Sequence, residues 1–148
     1  MNKNGFLFLA IAIAFLVSCT GSGKPAAAIG SIRIYDPWGR PADKGENSAV
    51  YMVIKNGGKE DDSLVKAESS AADMVEIHQT TMKDNVMSMS PVNEITVPSN
   101  GQSELKPDSY HIMLMNLTKK LSPGDKIDVD LTFGKTGRVT VQAEIRKQ

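Results

Sequence analysis

From Ser31 onward, apolar and polar residues alternate in short runs separated by turn residues, which is the two-residue period of β-strands. No segment keeps the longer period of an extended amphipathic helix. The pattern predicts strands at Ile32–Tyr35, Ala49–Lys55, Leu64–Ala67, Met74–Gln79, Val86–Met89, Glu94–Val97, Gln102–Leu105, His111–Asn116, Lys126–Phe133 and Arg138–Ile145. Asp36-Pro37 and a loop over Trp38–Asn47 are expected to end the first of these, and Pro91 to interrupt the fifth. Asn56-Gly57-Gly58, Pro98-Ser99-Asn100-Gly101, Lys106-Pro107-Asp108-Ser109, Ser122-Pro123-Gly124-Asp125 and Gly134–Gly137 supply turns. Many short strands at this spacing predict an all-β sandwich or Greek-key barrel.

The same alternation sorts side chains by face. In His111-Ile112-Met113-Leu114-Met115, Ile112 and Leu114 take one side, and His111, Met113 and Met115 take the other. In Met74–Gln79, His78 shares a face with Met74 and Glu76, opposite Val75 and Ile77. His78 and His111 are the only histidines of the chain. Methionine often serves as a flexible core filler, and two histidines are no surplus for this length. Against that bland reading, both histidines lie opposite faces that are already apolar, and Met87-Ser88-Met89-Ser90-Pro91 puts thioethers in a polar segment. Imidazoles and thioethers without a thiol form a ligand set biased toward Cu(I).

The N-terminus changes the compartment. Lys3 precedes an apolar run from Phe6 to Val17 whose twelve residues fall short of the roughly 20 needed to span a bilayer. Leu16-Val17-Ser18-Cys19 follows at once and resembles a bacterial lipobox, which implies cleavage before Cys19 and lipid on its sulfur. Residues 1–18 are thus expected to be a lipoprotein signal peptide and residues 19–29 a lipidated, mobile tether, with one domain over 30–148. Cys19 is the sole cysteine, so that domain holds no internal disulfide and must rest on core packing. Loss of residues 1–18 removes Lys3 and no acid, leaving 16 basic against 17 acidic side chains. Such a balance gives no electrostatic basis for binding nucleic acid, and membrane association is expected through the lipid alone.

Ten residues separate His78 from Met89, twenty-one separate Met89 from His111, and one separates His111 from Met113. This His-x10-Met-x21-His-x-Met spacing resembles that of the PCu(A)C periplasmic copper chaperones. So do Val75-Glu76-Ile77-His78, Leu105-Lys106-Pro107 and Tyr110–Met115, and the likeness runs from Asp36-Pro37-Trp38-Gly39-Arg40 to the closing hairpin. The resemblance implies a cupredoxin-like β-sandwich and one Cu(I) per chain, bound by His78, Met89, His111 and Met113. Met87 and Met115 are auxiliary candidates, either substitute ligands or packing beside the site, whereas Met74 and Met82 are read as structural or loop residues.

The expectation is a monomeric, lipid-anchored, extracytoplasmic Cu(I) metallochaperone on a bacterial cell-envelope membrane, without enzymatic activity. The resemblance implies delivery to the copper centres of cytochrome c oxidase, directly or through a thiol-bearing assembly factor. Neutral ligands bind Cu(I) more weakly than thiolates and permit release. Two other readings are copper sequestration for tolerance and a metal-free ligand-binding or adhesion lipoprotein. Blue-copper electron transfer is disfavoured, because that site uses a thiolate beside two histidines.

Overall fold

A computed structural model describes residues 23–147, and the expected signal peptide, Cys19 and the start of the tether lie outside the described residues. The described chain is all-β, as expected, with eleven strands and no helix. They are β1 (Ala27–Ile29), β2 (Ile32–Gly39), β3 (Ser48–Asn56), β4 (Asp62–Glu68), β5 (Ala72–Lys83), β6 (Val86–Pro91), β7 (Ile95–Val97), β8 (Gly101–Leu105), β9 (Tyr110–Leu117), β10 (Lys126–Phe133) and β11 (Gly137–Ile145). Hydrogen bonding runs in the order β6-β5-β9-β3-β2-β11-β10-β4-β7, with β1 on β2 and β8 on β3. All pairings are antiparallel except β11 with β2.

One face of each long strand feeds a single core that includes Ile32, Ile34, Val50, Ile54, Leu64, Ile112, Leu114, Leu131 and Val141. Ile112 and Leu114 are wholly buried, and each contributes about 1.5–3 kcal/mol through burial of its side chain. Packing on that side of β9 leaves its other side free for chemistry.

Three local features depart from the expected elements. Ala27–Ile29, placed at the end of a mobile tether, is a strand whose partners are Ile34, Arg33 and Ile32. Pro91 does not interrupt β6 but closes it, opposite His78. The Val92 N–H donates to the Ile77 carbonyl at 2.8 Å, so alternation leaves the His78/Pro91 pair without mutual hydrogen bonds, a position that needs no proline N–H.

Strand β2 also continues through Pro37 to Gly39 instead of ending at Tyr35. It does so by a bulge, in which Tyr35 pairs with Val53 but Trp38 pairs with Tyr51, and Asp36 adopts φ 45°. The extra residue shifts the alternation by one. It thereby returns Trp38 and Arg40 to the face carrying Tyr51, away from the core.

Candidate metal centre

Strands β6, β5 and β9 lie side by side and bring the four motif residues to one face. His78 on β5 is directly opposite His111 on β9, and the next pair on that face is Glu76 with Met113. On the other side of β5, Thr80 faces Met89 and Met82 faces Met87. Residues opposed in register share a face, so His78, Met89, His111 and Met113 converge although they span thirty-six positions of sequence. The two imidazole centroids are 5.8 Å apart with their planes at 53°.

A hydrogen bond engages one nitrogen of each ring. His111 Nδ1–H donates to the Ser109 carbonyl at 3.1 Å, which leaves the lone pair on Nε2. His78 Nε2 lies 2.9 Å from Glu76 Oε2 and, facing a carboxylate, carries the proton. In the neutral ring the lone pair is then on Nδ1, which is buried and has no hydrogen-bond partner. A buried lone pair without a donor is costly in a structural histidine and useful in a ligand. Burial lowers the His111 pKa, the Ser109 contact opposes this, and the charges of His78 and Arg40 lower it further, so the net shift is downward. A neutral imidazole is the form that binds metal.

The face opens into a cleft of about 260 Å³ lined by His111, Met113, Met87 and Met89 together with Arg40, Tyr51 and Asp108. His111 is only 4 % exposed, but Met87 and Met89 are 52 % and 54 % exposed, so access is through the methionine side. Trp38 packs on Tyr51 at 4.6 Å, Tyr51 on His111 at 6.3 Å, and the Arg40 guanidinium sits 5.4 Å from the Tyr51 ring centre. Burial raises the Tyr51 pKa, with Arg40 opposing and Asp108 assisting. Tyr51 therefore stays a neutral wall of the cleft.

Among the described residues no group of three or more His, Cys, Asp or Glu is placed to hold a metal ion. The donors gathered here are imidazole nitrogen and thioether sulfur, suited to a soft cation of low charge such as Cu(I). Of the auxiliary candidates, Met87 lines the cleft, whereas Met115 pairs with Met74 beyond Glu76 and Met113. Cys19 lies outside the described residues. The sequence pattern did not reveal Glu76 as the partner of His78, Arg40 and Tyr51 as walls of the cleft, or Trp38 as the support behind Tyr51. A signal for Glu76 existed in its i, i+2 spacing from His78; none existed for Trp38 and Arg40, whose facing depends on the bulge.

Residues 32–145 match the model of the family described as "Putative lipoprotein LpqE-like". The chain belongs to the LpqE-like family. A relative named as a lipoprotein in Leifsonia xyli subsp. xyli is 32 % identical over 120 residues, covering 79 % of this chain and 72 % of its own. An uncharacterized protein of Rickettsia prowazekii is 29 % identical over 126 residues, covering 82 % and 68 %.

Among solved structures, this LpqE-like chain is similar to the copper-bound PCuAC domain from PmoF2, with a TM-score of 0.70 and 25 % identity over 82 % of this chain and 97 % of that one. It is also similar to the Cu(I) form of DR1885 from Deinococcus radiodurans, with a TM-score of 0.57 and 25 % identity over 78 % and 79 %. The family expected from the His/Met spacing is thus the one the structure resembles, and a lipoprotein family is the one the sequence joins.

Proposed function

We propose that this LpqE-like protein is a carrier of Cu(I) outside the cytoplasm, tethered to an envelope membrane by lipid on Cys19. It holds one ion per chain through His78, Met89, His111 and Met113. The observation that supports this most is the convergence of those four side chains on one face of β6, β5 and β9, with burial favouring the neutral form of His111. The similarity to copper-bound and Cu(I)-bound PCuAC structures supports the same reading.

Four uncharged donors leave the ion its single positive charge. Each bond to it can be exchanged for one from a recipient without moving an electron. Exposed Met87 and Met89 give such a recipient a side from which to approach. A copper-site subunit of cytochrome c oxidase, or a thiol-bearing assembly factor serving it, fits as recipient because thiolates outcompete thioethers for Cu(I). The protein acts in this reading by binding and release, and not as an enzyme.

The test is an anaerobic Cu(I) titration of residues 19–148 carrying Cys19→Ser against a competing chelator, beside His111→Ala/Met113→Ala. One tight equivalent that disappears in the folded variant is expected. Unchanged binding in the variant would remove the assigned ligands, and no competitive binding in either would remove copper carriage.

A further inference from the structure

The hairpin beyond the four-residue site has a feature that site does not use. β5 and β6 are joined by Asp84-Asn85, both with positive φ (52° and 61°), the geometry of a two-residue type I′ turn. The turn fixes Lys83 opposite Val86, and Met82 opposite Met87. Alternation from the Val92 N–H to Ile77 carbonyl bond makes Met82/Met87 a pair without mutual hydrogen bonds, the class in which Cα atoms are roughly 4.5 Å apart and side chains are closest. Met82 is 66 % exposed and Met87 52 % exposed. Neither joins the core, so the packing role that usually explains methionine does not explain this pair.

The pair is also aligned with the site. Met82, Thr80 and His78 follow one another on the same face of β5, as do Met87 and Met89 on β6, and Met87 and Met89 line the cleft that reaches His111 and Met113. Successive positions on one face are about 7 Å apart, a gap that two flexible methionine side chains with three rotatable bonds each can close.

We propose that Met82 and Met87 form an outer thioether station, a weak Cu(I) site through which the ion enters and leaves the inner site by way of Met89. The inference rests on the carrier reading and extends it. Passage forms a Cu–S bond to Met89 while a Cu–S bond to Met82 or Met87 breaks; copper remains Cu(I), and no proton or electron is transferred. Two thioethers alone hold the ion loosely, as a transit site requires, and the hairpin tip is where a recipient meets the least steric obstruction.

The test uses residues 19–148 with Cys19→Ser, carrying ¹³C-labelled methionine methyl groups and titrated with Ag(I) as a redox-inert stand-in for Cu(I). The expected result is that Met89 and Met113 methyls shift with the first equivalent, and Met82 and Met87 methyls shift together at higher metal concentration, while Met74 stays still. Silence at Met89 and Met113 would overturn the carrier reading itself. A response there with silence at Met82 and Met87 would overturn the station alone. In a parallel kinetic measurement, Met82→Leu is expected to slow Cu(I) transfer to an acceptor chelator about tenfold, with equilibrium affinity kept within about twofold. Met74→Leu, equally apolar but at the opposite end of that face, beyond His78 and Glu76, is expected to leave the rate unchanged. Equal transfer rates for Met82→Leu and the parent chain would also overturn the station.

Discussion

Met113→Leu separates the metal role of this residue from its packing. Met113 is half-buried on the face opposite the core, and leucine nearly conserves its volume, so the apo domain should lose less than about 1.5 kcal/mol. With roughly 2.1 cal/mol/K per residue of unfolding entropy over the 125 described residues, 1 kcal/mol corresponds to a Tm shift of about 4 °C. The apo variant should therefore melt no more than about 6 °C below the parent. Cu(I) at about 100 times Kd stabilises the parent by about 2.7 kcal/mol, a rise of about 10 °C. If loss of the thioether weakens binding about tenfold, the same free Cu(I) contributes about 1.4 kcal/mol and raises the variant by only about 5 °C. Anaerobic thermal melts with free Cu(I) buffered by a chelator read both numbers. An equal metal-induced rise in parent and variant would refute Met113 as a ligand, whatever happens to the apo melting temperature.

Other parts of the structure give independent expectations. Asp62 is 4 % exposed and accepts hydrogen bonds from the backbone of Ser63, Lys135 and Thr136 and from the Thr136 hydroxyl, so Asp62→Ala should cost about 2–4 kcal/mol in urea unfolding. Burial pushes the Asp62 pKa up, but these bonds outweigh it and the net shift is downward. Its stabilisation is therefore complete well above the unfolded value of about 3.9 and is lost as pH falls through the lower folded value, a step Asp62→Asn should lack in acid unfolding. His111, whose pKa is also lowered, should titrate by NMR below about 6.5 in the apo protein; the fold should lose stability as pH drops from that value toward the folded one, because the unfolded chain takes the proton first. A His111 midpoint at or above 6.5 would contradict its buried setting. Ile112→Ala, at a wholly buried position behind the site, should cost about 2–5 kcal/mol but leave Cu(I) affinity of the folded protein near the parent's, as read by chelator competition at low temperature.

The shared facing of the candidate residues was largely legible because strand periodicity is a local property. Once His111, Met113 and Met115 alternate with Ile112 and Leu114, burial of the latter pair dictates where the former point, and the structure follows that division. The element order was legible for the same reason. What escaped was set by pairing across the sheet. Ala27–Ile29 is too small and short to announce a strand, and is held as one by β2. The bulge at Asp36-Pro37 looked like a strand end because both residues commonly stop strands, yet it sets Trp38 against Tyr51 and Arg40 in the wall of the cleft. Met82 read as a structural or loop residue because Asp84-Asn85 does not stand out in sequence as a tight turn; with the turn in place, Met82 belongs to β5 and faces Met87.

X-ray absorption at the copper edge of the Cu(I)-loaded chain reads the ligands of the ion themselves. Imidazole nitrogen and thioether sulfur are expected around the ion in equal number, from His78 and His111 and from Met89 and Met113, with one sulfur lost in Met89→Leu. A shell without sulfur, or one that Met89→Leu leaves unchanged, would contradict that ligand set.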